Sequence, residues 1–184
     1  NMRRARSVGV IPWQFNESFP NAWCTSAVDW HGEPKPAYWG VARAYRDGHP
    51  SARFATCAWG GEDEVRAAIH GDATARLVNL DGSVVAEARG EIAAPVGALS
   101  EVFVLDLDGR NRYVMTTAET LAPLLDLPPA TLELADGVLT NTGRVAALGV
   151  VLTGDVADNV LDLLPGESRA VPGATAAEGW NAAA

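Results

Sequence analysis

The 184-residue sequence predicts a mainly β chain: a β-loop-α unit at the N-terminus followed by two β-sandwich modules. Three observations carry that prediction. Short apolar runs recur at even spacing from Ser51 to Thr117, and Asp-Gly or Gly-Gly pairs cut them in the manner of hairpin turns. A second series of such runs spans Thr131 to Val171, beyond the apolar linker Thr120–Pro129, which stops at a double proline. Ahead of both lies a different pattern, in which one apolar run is followed by a long aromatic loop and then by helical spacing.

In chain order, Val8, Val10 and Ile11 close on Trp13 and predict a buried strand over Ser7–Phe15, which Pro12 makes irregular by removing a ladder hydrogen bond. Asn16–Glu33 is loop, punctuated by Pro20, Asn21 and Gly32. Pro34–Asp47 is a helix, with Pro36 in the first turn, Ala37, Val41, Ala44 and Tyr45 at helical spacing and Gly48 as the stop. Strands are then expected at Arg53–Ala58, Glu64–His70, Ala75–Asn79, Val84–Ala88, Glu101–Leu107 and Arg112–Thr116, with Arg89–Ala98 as a longer connection between sheets. The second series places strands at Thr131–Leu134, Val138–Asn141, Ala146–Thr153, Asn159–Leu163 and Ser168–Val171. In the Ala- and Gly-rich tail, Trp180 closes the last strand against the second sandwich.

The composition bounds the chemistry. A net charge of −9 and a pI near 4.7 speak against a nucleic-acid surface, which needs a basic patch. No apolar run reaches the eighteen or so residues of a membrane span, so no membrane partner is expected. Cys24 and Cys57 are too few for a disulfide framework, and with His31, His49 and His70 scattered, neither a metal site nor a cofactor is expected. The compartment is left open, with the cytoplasm slightly favoured.

Five of the six tryptophans (Trp13, Trp23, Trp30, Trp39 and Trp59) fall within the first 59 positions, beside amides and carboxylates. An aromatic face for the C–H side of a sugar ring, with amides for its hydroxyls, is what a saccharide site requires, although a single Trp is more often core. Hydrolysis would also need two carboxylates flanking the bond. Glu17, Asp29 and Glu33 are the acids available, and Asn16-Glu17 invites an acid/base reading, but a dipeptide is weak evidence. There is no Gly-x-Ser-x-Gly elbow, phosphate loop or His-Glu-x-x-His. The acids of the sandwich region, Asp81, Asp106, Asp108, Asp136, Asp155 and Asp158, read as turn formers.

Trp13-Gln14-Phe15-Asn16-Glu17, Pro20-Asn-Ala-Trp23, Asp29-Trp30-His-Gly32 and Lys35-Pro-Ala-Tyr-Trp39 resemble the end of the catalytic barrel in glycoside hydrolase family 2, closest to its β-mannosidase and exo-β-glucosaminidase branch. Downstream, Asn111-Arg-Tyr113, Leu121-Ala-Pro-Leu124, Leu139-Thr-Asn-Thr-Gly143, Asp158-Asn159, Leu164-Pro-Gly-Glu-Ser-Arg169 and Gly179-Trp180-Asn181 resemble the immunoglobulin-like domains that follow that barrel. The resemblance implies three parts: residues 1–49 as the last β-loop-α unit of a (β/α)8 barrel, then immunoglobulin-like β-sandwich domains at 50–118 and 119–184. It further implies a retaining exo-glycosidase acting on terminal β-linked sugars, whose two catalytic glutamates lie on barrel strands upstream of this sequence. Glu17 then falls where the family usually has Asp and is not the acid/base.

The implied substrate-binding residues are Trp13, as a platform, with Gln14 and Asn16 as hydrogen-bonding supports; Lys35, the only lysine, anchors the loop. No catalytic residue is assigned, and the chain alone is expected to be inactive. The expected partners are a carbohydrate in the context of the full enzyme and the missing upstream barrel. Because a parallel barrel strand needs neighbours on both edges, residues 1–49 are expected either to fold back on the first sandwich or to pair with a second copy as a homodimer. Asn1-Met2 reads as a remnant ahead of an initiator Met, so the reading frame is expected to start inside the barrel. Two competing readings remain: a non-catalytic carbohydrate-binding or docking module built on the sandwiches, and a structural chain that completes a catalytic partner.

Overall fold

The structure, a computed structural model, describes residues 14–20 and 25–182. The chain divides into two compact units, residues 1–49 and 50–184. Among the described residues the fold is mainly β, with four small antiparallel sheets and one short α-helix.

In the first unit the helix α1 runs Pro36–Ala44, with Pro36 at the first helical position, where its missing N–H is not needed. The expected strand Ser7–Phe15 lies outside the described residues except for Gln14 and Phe15, which are not in a strand. The loop before α1 is stitched by isolated bridges: Asn16 pairs with Val28 in parallel sense, and Val28 with Pro34 in antiparallel sense.

The second unit carries thirteen strands. Seven of them, β1 (Ser51–Arg53), β2 (Glu64–His70), β3 (Ala75–Asn79), β4 (Val84–Ala88), β5 (Glu91–Pro95), β6 (Val102–Leu107) and β7 (Asn111–Thr116), form sheets in the orders β1-β2-β5 and β4-β3-β6-β7. Between the two sheets lies a core built on Val65, Leu77, Ile92, Phe103, Leu105 and Met115, all buried. Six more, β8 (Leu132–Ala135), β9 (Val138–Asn141), β10 (Ala147–Gly154), β11 (Leu161–Leu163), β12 (Ser168–Ala170) and β13 (Ala174–Glu178), form sheets β12-β9-β8 and β11-β10-β13 around Leu139, Val150, Leu152 and Leu163.

Turn chemistry explains the registers. At the β8–β9 hairpin Ala135 pairs with Val138, leaving a two-residue loop, Asp136-Gly137, with φ of 51° and 71°. Positive φ at both positions is the type I′ turn that matches strand twist, and Asp-Gly tolerates it. Between β6 and β7, where Leu107 pairs with Asn111, the three-residue loop Asp108-Gly109-Arg110 also has positive φ at its Asp and Gly, 53° and 66°.

β6 does not alternate: all six of its residues are buried. Phe103, Leu105 and Leu107 face the first core, while Val102 and Val104 belong to a third cluster with Val78, Leu80, Ala146, Leu148 and Leu164. That third cluster joins residues of both strand series, so β6 is covered on both faces.

Four expectations are corrected. Arg53–Ala58 is not a strand: β1 stops at Arg53, and Thr56 turns the chain by accepting from the Ala58 N–H and donating to the Ala58 carbonyl, both at 3.0 Å. Arg89–Ala98 is not a connection but contains β5, which pairs with β2 from Glu64↔Pro95 to Ala68↔Glu91 and buries Ile92 and Ala94. Pro95 is tolerated because it ends the strand. The small-residue tail contains β13, paired with β10. Asp106 is not a turn former but a fully buried strand residue, and its partners explain why.

Asp106 stands in register with Arg76 of β3 and Arg112 of β7. Arg76 Nη2 lies 2.6 Å from Asp106 Oδ2, and Arg112 Nε 2.8 Å from Oδ1. The Arg112 guanidinium, with a side chain 5% exposed, continues to Glu167 of the second strand series at 2.6 and 2.7 Å and to the Asp162 carbonyl. Burial pushes the Asp106 carboxyl up, but the Arg112 charge and the hydrogen bonds from Arg76 and Arg112 outweigh it and hold the group below the usual carboxylate range.

Candidate functional site

The site is built from three short stretches: 14–17, 26–28 and the approach to α1. Backbone bonds hold the first two side by side. Ala27 N–H donates to the Gln14 carbonyl (3.1 Å), Val28 N–H to Phe15 (2.9 Å) and Glu17 N–H to Val28 (3.2 Å). Lys35 N–H donates to the Ala27 carbonyl at 2.9 Å, drawing the start of the helix onto the same ladder. Asp29 folds the intervening turn, its Oδ1 accepting from the His31 N–H (2.8 Å) and the Glu33 N–H (2.9 Å).

Under this ladder sits one buried carboxylate. Glu17 is 7% exposed and Ser26 3%. The Lys35 ammonium pairs with Glu17 Oε1, the Ser26 hydroxyl donates to the same oxygen at 3.2 Å, and Lys35 Nζ reaches the Ser26 hydroxyl at 3.3 Å. The Lys35 hydrogen bond holds the Glu17 carboxyl below its ordinary range, with Ser26 assisting and burial opposing. A carboxylate kept ionised by an ammonium is a poor proton donor, so the geometry gives Glu17 a tethering task. Ser26 was not singled out by the sequence, because a lone Ser in a loop carries no spacing signal.

Gln14, Phe15 and Asn16 are exposed, and the Glu17 clamp fixes the backbone from which they project. Gln14 and Asn16 are therefore neighbours on one ledge; Asn16 also makes a long contact of 3.4 Å from its amide to the Glu17 carbonyl. Trp13 and Trp23 lie outside the described residues. Phe15 (69% exposed), Phe19 and Trp30 (48%) leave large apolar faces in solvent, and Tyr38 packs edge-on against Trp39 at 5.2 Å.

The remaining residues singled out in the sequence have structural tasks. Asn111 and Tyr113 pin the start of β1: Asn111 donates to the Pro50 carbonyl (2.9 Å) and to the Tyr113 hydroxyl (3.0 Å), which also accepts from the Ala52 N–H (3.1 Å). Asn141, Asn159 and Asn181 each use a side-chain amide as a substitute backbone. Asn159 spans both polar groups of Leu152, at 2.7 and 2.9 Å, and Asn181 takes the Leu148 N–H while donating to the carbonyls of Pro128 and Ala146. Asn141 donates to the carbonyls of Val145 and Leu163. Trp59, counted with the N-terminal tryptophan cluster, is 4% exposed and belongs to the first core.

Among the described residues no group of three or more His, Cys, Asp or Glu could hold a metal ion, and no helix is long and apolar enough to cross a membrane.

Neither protein-family models nor curated protein sequences match the chain. Among solved structures, the fold is similar to part of the exo-chitosanase CsxA from Amycolatopsis orientalis, a variant in complex with PNP-β-D-glucosamine. The TM-score is 0.54 at 18% sequence identity, over 86% of this chain and 28% of that one. The chain thus spans less than a third of the length of the structure it resembles.

Proposed function

We propose that this chain is the C-terminal part of a retaining exo-β-glycosidase of glycoside hydrolase family 2. In this reading residues 1–49 end a (β/α)8 barrel, and residues 50–118 and 119–184 are immunoglobulin-like sandwiches. The observation that carries the reading is a likeness to the exo-chitosanase over 86% of the chain, joined to a sequence that resembles the same family in the same order. Trp13 is then the platform under the terminal sugar, and Gln14 and Asn16 are the polar ledge beside it. The exposed position of Gln14 and Asn16 above the Glu17–Lys35 clamp supports that role. Within the β-mannosidase and exo-β-glucosaminidase branch that the sequence resembles, the glucosaminide in the structural neighbour favours glucosaminides over mannosides.

The chemistry itself needs two carboxyls about 5 Å apart across the glycosidic bond. Glu17, tied to Lys35, does not offer one, and the reading assigns both to barrel strands supplied by the rest of the enzyme. The test is hydrolysis of aryl β-glucosaminide and aryl β-mannoside by this chain, alone and mixed with a polypeptide carrying the upstream barrel. Turnover only in the mixture, lost with Trp13→Ala, supports the reading. Turnover by the chain alone, or a mixture that stays inert although the two parts associate, overturns it.

A further inference from the structure

The second sandwich carries an aromatic that its core does not use. Trp180 is 65% exposed, yet it is held rigidly. Its N–H donates to the Leu148 carbonyl at 3.0 Å, and the next residue, Asn181, is pinned through its side chain to Leu148, Pro128 and Ala146. The indole lies on Gly149 of β10. A Cβ at Gly149 would come within 2.7–2.9 Å of three indole atoms, so the absent side chain is what lets the ring approach the strand. One ring face is thereby closed by backbone, and the exposure belongs to the rest of the ring.

The surroundings are specific. Ala177 and Leu152 point into the core, which turns Glu178 of β13 and Val151 of β10 outward as a cross-strand pair beside the ring. Among the described residues the Glu178 side chain has neither ion pair nor hydrogen bond, and it is exposed. On the opposite side β11 contributes Asp162, whose Oδ1 accepts the Gly149 N–H at 2.8 Å. Strands lie about 4.8 Å apart, so the indole over the middle strand has the exposed Glu178 carboxylate one strand away.

We infer that Trp180, Val151 and Glu178 form a binding platform for a β-linked oligosaccharide of glucosamine units bearing free ammonium groups. A flat pyranose presents C–H bonds to an aromatic face, and a rim ammonium is drawn to a carboxylate one strand away. The net charge of −9 favours a cationic chain over an anionic one. The site lies in the second sandwich and does not depend on residues 1–49 lining a sugar pocket, so it stands or falls separately from the proposed catalytic relationship.

The test is calorimetric titration of the chain with the β-1,4-linked glucosamine hexamer, its N-acetylated counterpart and a Lys-rich peptide of equal charge. The expected result is binding of the glucosamine hexamer at least tenfold tighter than either comparison ligand. Trp180→Ala should weaken it tenfold or more. Glu178→Gln, at an exposed site whose loss cannot unfold the sandwich, should weaken it several-fold for the charged hexamer and leave the acetylated one unchanged. Equal affinity of the Lys-rich peptide would overturn the inference in favour of a nonspecific cation surface. Equal affinity of the acetylated hexamer, no binding at all, or unchanged binding in Glu178→Gln would overturn it as well.

Discussion

The two units of the chain differ in what holds them. Residues 50–182 enclose three apolar clusters, and large side chains such as Phe103, Leu105 and Met115 are wholly buried. The described part of residues 1–49 has no such centre: its helix buries no residue, and its two buried groups, Glu17 and Ser26, are polar. Backbone bonds and the Glu17–Lys35 ion pair contribute to its shape, while Phe15, Phe19, Trp30 and Tyr45 remain exposed. The contrast teaches a difference in support: apolar clusters hold residues 50–182, whereas backbone and polar contacts hold the described part of residues 1–49.

The largest blow to the scaffold should come from its buried ions. Asp106→Ala leaves Arg112 buried beside Glu167 alone, and breaking such a pair costs about 3–5 kcal/mol, read as a lower denaturant midpoint for the whole of residues 50–182. If only one sandwich unfolds early, the two are less tightly joined than β6 and the third cluster imply. Asn159→Ala removes both hydrogen bonds to Leu152 and should cost about 1–3 kcal/mol, again in a single transition.

Acid separates the units more gently. The folded-state pKa of Asp106 is depressed, so its contribution is present above the ordinary carboxylate value near 4 and disappears as pH falls through its lower folded value. Glu17 has the same sign. Sandwich unfolding should therefore be level with pH in neutral solution and weaken only in strong acid, as measured by thermal scans from pH 7 to 2.

The smallest global effect is expected at the ledge of Gln14 and Asn16. Glu17→Gln and Lys35→Met should leave the main transition unmoved, while speeding exchange of the Ala27, Val28 and Lys35 amides. A shift of the main transition would show that the two units are energetically one.

Much of the scaffold was legible because turn residues punctuate it. β2, β3, β4 and β9 match the expected runs residue for residue, each bounded by a turn of Gly, Asp or Asn. β5 and β13 were not legible, since Glu-Ile-Ala-Ala-Pro and Ala-Thr-Ala-Ala-Glu are too small-sided to announce a strand, and only pairing with β2 and β10 makes them one. Asp106 misled for a related reason: its nearness to Asp-Gly suggests a turn, and its two arginines are distant in sequence. At the ledge, the sequence pointed to the Lys35 anchor and to Gln14 and Asn16, but the buried Glu17–Ser26 contact depends on a loop crossing that no local pattern encodes.

Amide hydrogen exchange on the chain alone tests this difference in support most directly. The account predicts that Ala27, Val28 and Lys35 exchange through local openings, orders of magnitude faster than Val65, Leu105 and Val150, whose protection should reach the global unfolding free energy. Equal protection in both sets, in a chain shown to be monomeric, would contradict it.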